Sequence, residues 1–251
     1  MSNMNQPKLR NVDKIEPDYP LGRFPSGFVQ RFGKEIVFLL ATKSHTSLEG
    51  EEWEQIFASC IDAVWKPSNV GLDDIQKGVC AWGAKTVYSS KPHDVKQVRL
   101  ISGRNSPAYS FDEMNLDADP QVLGGEVLSI WNARVSSVRK VFAHLRTVVL
   151  VKSKDLTELA VFEFPTILYP SDLYVWRKNK HNNLEGLDKE SGKHKFTWQP
   201  HGSQFTIIED VPTTSLLLRI KSPKKLDKDE VLSTLHYDES WVTVIQRGGS
   251  G

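Results

Sequence analysis

Residues 71–90 read GLDDIQKGVCAWGAKTVYSS. Two adjacent acids, Asp73 and Asp74, stand at the head of a turn made by Gln76, Lys77 and Gly78. A β-prone run over 79–88 follows, with Lys85 in its middle. Successive residues of a strand face opposite sides, so only one acid of the pair shares a face with a given site. Asp74 is the better placed, late in its strand and next to the turn; Asp73 is the alternative. Lys85 lies among Ala81, Trp82, Ala84 and Val87. A lysine in an apolar strand needs a partner for its charge. Nearby carboxylates would supply one, in a structural salt bridge or in a functional site.

Working outward, apolar residues at Phe28, Val29, Phe32, Ile36, Val37 and Leu40 predict a helix over 26–43. A second helix is expected over 47–64, capped by Ser47, with Glu49, Glu51 and Glu52 in its first turns, where the helix dipole favours acids. Its apolar stripe is Trp53, Ile56, Phe57, Cys60, Ile61 and Val64, and Glu54 lies beside that stripe. Strands are expected at 72–75, 79–88 and 96–102, a helix over 120–141, and an antiparallel pair at 144–152 and 158–164 turning at 154–157. Further strands are expected at 173–177, 195–199, 204–208, 215–220 and 241–246, with a short helix at 228–235. The stretch 178–195, rich in Asn, Lys, Gly and Glu, reads as a loop: a hinge, or a segment that tracks DNA.

This order predicts an α/β (α+β) fold, a mixed sheet flanked by helices with a β-rich C-terminal extension. The expected division is an arm at 1–25, a core at 26–165, and a part at 166–247 that completes the core and contributes to recognition.

The 251 residues carry 32 Lys+Arg against 31 Asp+Glu, a net charge of +1. That balance gives no global pull toward nucleic acid, so any such surface must be a local patch. Two cysteines, Cys60 and Cys80, exclude a disulfide scaffold and a four-cysteine zinc site, and read as buried thiols in a reducing compartment. No apolar run approaches a membrane span. The histidines lack zinc spacing, and no nucleophile elbow, P-loop or dinucleotide fingerprint is present.

An acid followed about ten residues on by a mid-strand lysine is what a metal-dependent nuclease needs. The carboxylate holds a divalent cation beside the scissile phosphate, and the lysine steadies the attacking water or the charge of the transition state. Gly50-x-x-x-Glu54, Gly71-Leu-x-Asp74-Ile and Ala81-Trp-x-x-Lys85-Thr-Val together resemble the PD-(D/E)xK nuclease superfamily, within it the type II restriction endonucleases. The resemblance covers about residues 45–110. It implies Mg²⁺-dependent cleavage of double-stranded DNA, Mn²⁺ substituting, by a homodimer in a prokaryotic-type cytoplasm. It makes Asp74 the metal acid, Lys85 the catalytic lysine and Glu54 the auxiliary acid. Gly83 stands where the family places its second acid. Either that carboxylate comes from elsewhere, with Glu54, Asp73 and Glu113 as candidates, or the chain is a DNA-binding relative that does not cut.

Downstream, Arg99, Ser102, Arg104, Asn105 and Ser106 form a polar strand tip of types that contact phosphates and base edges. Arg134 and Arg139 on the predicted helix, and Lys178, Lys180 and Lys193 around the predicted loop, are further candidates for DNA contact. The bland readings are a self-bonded loop, a helix C-terminus favouring positive charge, and a solvated loop.

Overall fold

Phe28, Phe32, Ile36, Leu39 and Leu40 recur at helical spacing and are all buried, forming the inner face of α1 (Phe28–Thr42). The computed structural model describes residues 15–67, 71–111 and 118–245. After α1 come α2 (Gly50–Cys60), β1 (Val64–Trp65), β2 (Ile75–Lys77), β3 (Cys80–Tyr88), β4 (Gln97–Arg104) and the single turn α3 (Pro107–Ser110). The long helix α4 (Pro120–Arg139) precedes β5 (His144–Lys152) and β6 (Glu158–Pro165). β7 (Tyr174–Lys178), β8 (Leu184–Asp188), β9 (His194–Gln199), β10 (Gln204–Asp210), β11 (Leu216–Arg219) and α5 (Lys228–Thr234) follow.

The strands make two sheets, a six-stranded one in the order β1-β2-β3-β5-β6-β11 and a five-stranded one in the order β4-β10-β9-β8-β7. In the first, β3 and β5 run parallel and every other pair is antiparallel. A parallel pair needs a long crossover, and the chain between β3 and β5 contains α4. The chain is thus a mixed α+β protein with sheets flanked by helices. Strands of the 166–247 part enter both sheets, since β10 pairs with β4 and β11 with β6.

One face of the six-stranded sheet packs under α1 and α2, where Phe32, Trp53, Phe57, Trp82, Val148 and Leu150 share a cluster. The opposite face meets the second sheet through Val149, Val151 and Phe162 against Val98 and Leu100. α4 fills the remaining space, placing Leu123, Val127 and Trp131 with Trp176, Phe196 and Phe205. Gly124 permits this approach, because a Cβ there would lie 2.1 Å from the Trp176 ring.

Five local expectations change. The helix expected to reach residue 64 ends at Cys60, and Val64 stands exposed in β1. α2 is capped at Glu49 and not Ser47: the Glu49 backbone N–H donates to Glu52 Oε2 at 2.9 Å, one half of a reciprocal capping box. β2 starts after the acid pair, so Asp73 and Asp74 lie in its approach. The expected loop at 178–195 contains β8, paired along its length with β7 and, across a register shift at Gly186/Leu187, with β9. The expected strand at 241–246 is a tight turn, Glu239–Trp241, followed by exposed chain through Ile245; Gln246 lies outside the described residues.

One buried polar network was not legible in the sequence. Tyr19 Oη and Trp82 Nε1 donate to Glu163 Oε1 at 2.5 and 2.8 Å, and Arg146 reaches Glu163 Oε2 at 3.3 Å and the Tyr19 carbonyl at 2.7 Å. Both members of the ion pair are almost wholly enclosed. The network ties the described part of the N-terminal arm to the central strands. Cys60 and Cys80 are free and buried, as expected.

Candidate active site

The register that pairs Ile75 with Trp82 sets Asp74 level with Gly83. Trp82 and Ala84 enter the core beneath the helices, while Ala81 enters the cluster on the other side. Lys85 therefore shares the inter-sheet face with Ala81 and Gly83. Ile75 belongs to the helix-side core and Leu72 to the opposite one, which turns Asp74 toward Lys85's face. Asp74 is buried and Asp73 half-buried. Asp73 instead faces its own turn, where Gln76 Nε2 donates to the Asp73 carbonyl at 3.1 Å.

Glu54 joins from α2. Trp65 on the edge strand β1 donates Nε1 to Glu54 Oε2 at 3.0 Å and fixes that carboxylate. Burial pushes the Glu54 carboxyl above its usual range, and the nearby charge of Asp74 adds to this, while the Trp65 bond and Lys85 work against it. Lys85 shows the complementary pattern. Burial pushes its amine down, the charges of Asp74 and then Glu54 hold it up, and Arg134 pushes it down again. Among the described residues Lys85 has no direct hydrogen bond or ion pair through its amine. The salt-bridge reading of this lysine is therefore not what holds it; it sits in the field of two carboxylates without being locked to either.

Arg134 completes the cluster from α4. Its Nη1 donates to the Ser102 carbonyl at 2.7 Å and to Asn105 Oδ1 at 3.2 Å. Burial lowers its pKa and Asp74 opposes that shift. Behind Lys85 lies a cavity of about 10 Å³ lined by Gly83, Ser102, Thr147 and Thr166 among others. That is about the space of one water molecule.

Gly83 has a steric explanation. A Cβ at this position would lie 3.2 Å from both the Gly71 carbonyl oxygen and Leu72 Cα. The slot where the resemblance places a second acid is tight against main chain, which must give by a few tenths of an ångström to admit a side chain. Among the described residues no three His, Cys, Asp or Glu side chains form a group that would hold a metal ion by themselves. Glu113 lies outside the described residues.

The candidates for DNA contact are scattered. Asn105 is fully buried: its Nδ2 donates to the Val127 carbonyl at 2.9 Å, and its own carbonyl accepts from Trp198 Nε1 at 2.7 Å. Ser102 is buried too, with Oγ on the Leu100 carbonyl at 3.1 Å. Both face inward and build the site's wall, so the expected exposed tip is reduced to Arg104 and the half-buried Ser106. Arg99 spends Nη2 on Thr197 at 2.9 Å, and Arg139 spends Nη2 on the Thr166 carbonyl at 2.7 Å. By strand register, Arg104, Lys178 and the turn carrying Lys180 occupy one end of the five-stranded sheet. Lys193 lies at the other end, 3.9 Å from Asp210.

Sequence reasoning missed Trp65 as the holder of Glu54 and misjudged the role of Asn105. Glycines that take positive φ, Gly71 and Gly103, were the available signal for close approach, though nothing in the sequence said to what. Comparison with family models, with curated proteins and with solved structures yields no match, and function is therefore argued from this geometry alone.

Proposed function

We propose that the protein is a Mg²⁺-dependent, sequence-specific endonuclease of double-stranded DNA, similar to the type II restriction enzymes and acting as a cytoplasmic homodimer. The observation that carries this reading is that the charges of Asp74 in the approach to β2, Glu54 on α2 and Lys85 on β3 act on one another, and that Arg134 acts on Asp74 and Lys85. Asp74 and Glu54 are the residues that would hold the cation. Mg²⁺ is commonly bound by one or two carboxylates together with substrate phosphates, so a two-carboxylate site fits it; Mn²⁺ would substitute. Bound there, the ion supplies positive charge to phosphoryl oxygens and acidifies a water.

The chain's own residues do the rest. Lys85, with its affinity for a proton weakened by burial, orients the attacking water or stabilises the charge that grows on the phosphate. Trp65 keeps Glu54 aimed at the site. The enclosing strands and α4 partly withdraw the lysine from water, which strengthens each electrostatic contact.

A second reading is favoured by the tight slot at Gly83, where the resemblance places the second acid: a relative that binds DNA and does not cut it. Among the described residues no helix is long and apolar enough to cross a membrane. Incubation of purified protein with phage DNA and Mg²⁺ or Mn²⁺ separates the readings. Discrete fragments ending in 5′-phosphate support the nuclease. Salt-sensitive binding without cutting in either metal supports the second reading.

A further inference from the structure

The C-terminal arm, residues 227–245, has local structure but no buried residue. Its helix α5 is seven residues long and is capped by Asp227, whose side chain accepts from the Asp229 and Glu230 N–H groups at 2.9 and 3.0 Å. Further on, Asp238 accepts from the Ser240 N–H at 2.7 Å, and the Tyr237 and Trp241 rings meet edge to face with centroids 5.6 Å apart. A helix this short is marginal in water without a packing partner. Yet the apolar residues of the arm stay in solvent, Trp241 at 60% and Ile245 at 89% exposure, and Leu235, Val242 and Val244 with them.

The arm leaves the body at the end of α1, where the Leu226 N–H donates to the Ala41 carbonyl at 2.9 Å. Ala41 also lines an open groove of about 570 Å³ along α1, with Gln30, Gly33, Lys34, Val37 and Phe38. Phe38 there is 64% exposed, and a Cβ on Gly33 would meet nothing within 4 Å. The charges of arm and groove match. The arm carries five acids, Asp227, Asp229, Glu230, Asp238 and Glu239, against the single base Lys228. The one charged residue lining the groove is Lys34. Such an acidic arm is repelled by DNA and by anionic lipid, which leaves a protein surface as its partner.

We propose that the C-terminal arm of one chain docks in the α1 groove of a second copy, each chain giving an arm and receiving one. The folded protomer leaves both apolar features uncovered. Ala41 belongs to the groove and to the root of the arm, so a two-fold exchange closes with two identical contacts and leaves neither patch open to a third chain. Aromatic side chains bury about 150–250 Å² each. Two arms, each with Tyr237, Trp241 and its aliphatic residues, laid in two grooves remove on the order of 1,500 Å² from water, the size of a specific interface. This rests on the homodimer in the reading above and names its contact surface; it requires neither DNA nor a metal.

The test is sedimentation velocity over a range of micromolar concentrations, without DNA, on the wild type, a chain ending at Leu226, Trp241→Ala and Phe38→Asp. All the altered residues are exposed, so each variant keeps the protomer fold, as circular dichroism verifies. The wild type is expected to pass from monomer to dimer as concentration rises, and the shortened chain to stay monomeric. Trp241→Ala and Phe38→Asp each weaken association at least roughly tenfold. Mixing the shortened chain, whose groove is intact, with Phe38→Asp, whose arm is intact, produces a one-to-one pair although neither associates alone. A mixture that stays monomeric at the highest concentration overturns the exchange. A dimer that survives removal of the arm overturns this proposal and leaves the homodimer reading standing. A wild type that is monomeric throughout overturns both.

Discussion

Replacing Gly83 by alanine, and then by aspartate, asks whether the position of the missing acid is closed by main chain. The alanine Cβ would meet the Gly71 oxygen and Leu72 Cα at 3.2 Å and the Leu72 oxygen at 3.5 Å. Leu72 is buried in the inter-sheet core, so the segment that must yield is anchored. Overpacking costs about 1–3 kcal/mol, and stiffening the unfolded chain returns about 0.4–1 kcal/mol. The middle of the balance for Gly83→Ala is a loss of about 1.3 kcal/mol, or roughly 3–5 °C in Tm for a chain of this size. Gly83→Asp loses more, because it adds to the same contacts the burial of a carboxylate whose charge Lys85, on the same face, offsets only in part. Thermal unfolding followed by circular dichroism measures both, and a Mg²⁺ cleavage assay runs alongside. An unchanged or raised Tm for Gly83→Ala refutes the steric argument. A gain of cleavage in Gly83→Asp refutes it more strongly, since the slot would then admit the acid.

Glu163→Ala leaves Arg146 buried without its carboxylate and is expected to cost about 3–5 kcal/mol, measured by urea titration; Tyr19→Phe, losing one bond to the same carboxylate, costs less. For Glu54 the folded protein holds its proton more tightly than the unfolded chain, whose carboxyl titrates near the ordinary 4.5. Ionisation therefore destabilises the fold at pH above the raised value, and the cost vanishes below 4.5. Glu54→Gln should raise Tm at pH 7, and the gain should shrink as pH falls through the raised value toward 4.5; a gain that persists at low pH contradicts the assignment. None of residues 227–245 is buried, so ending the chain at Leu226 should shift stability by no more than about 0.5 kcal/mol, read from denaturant midpoints.

The elements with strong stripes were legible in the sequence. α1 buries Phe28, Phe32, Ile36 and Leu40 of the residues its spacing marked and leaves Val29 and Val37 exposed, α4 forms over most of the stretch expected for it, and β5 and β6 pair around the turn expected at 154–157. β8 was not legible, because its inward positions are Leu184 and Gly186. Gly186 has no side chain to signal an inner face, since Trp176 and Phe196 already fill the space above it. The candidate site divides in the same way. Asp74, Glu54 and Lys85 could be picked out by type and spacing, as each is a charge beside apolar neighbours. The closure over Gly83 depends on the main chain of Gly71 and Leu72 crossing from elsewhere in the fold. Ser102 and Asn105 were read from their polar types as an exposed tip, yet a bulge of β4 at Gly103 turns them inward to hold Arg134. A residue type states what a side chain is able to bond; only tertiary packing states whether that bond faces solvent.

The most direct measurement compares initial rates of Mg²⁺-dependent cleavage of one end-labelled duplex by the wild-type, Lys85→Ala and Asp74→Asn proteins. The account predicts cutting by the wild type and a loss of about 10²–10³-fold in Lys85→Ala, with a large loss in Asp74→Asn and duplex binding retained in both. Equal rates in all three proteins, or no cutting by the wild type with either Mg²⁺ or Mn²⁺, would contradict it.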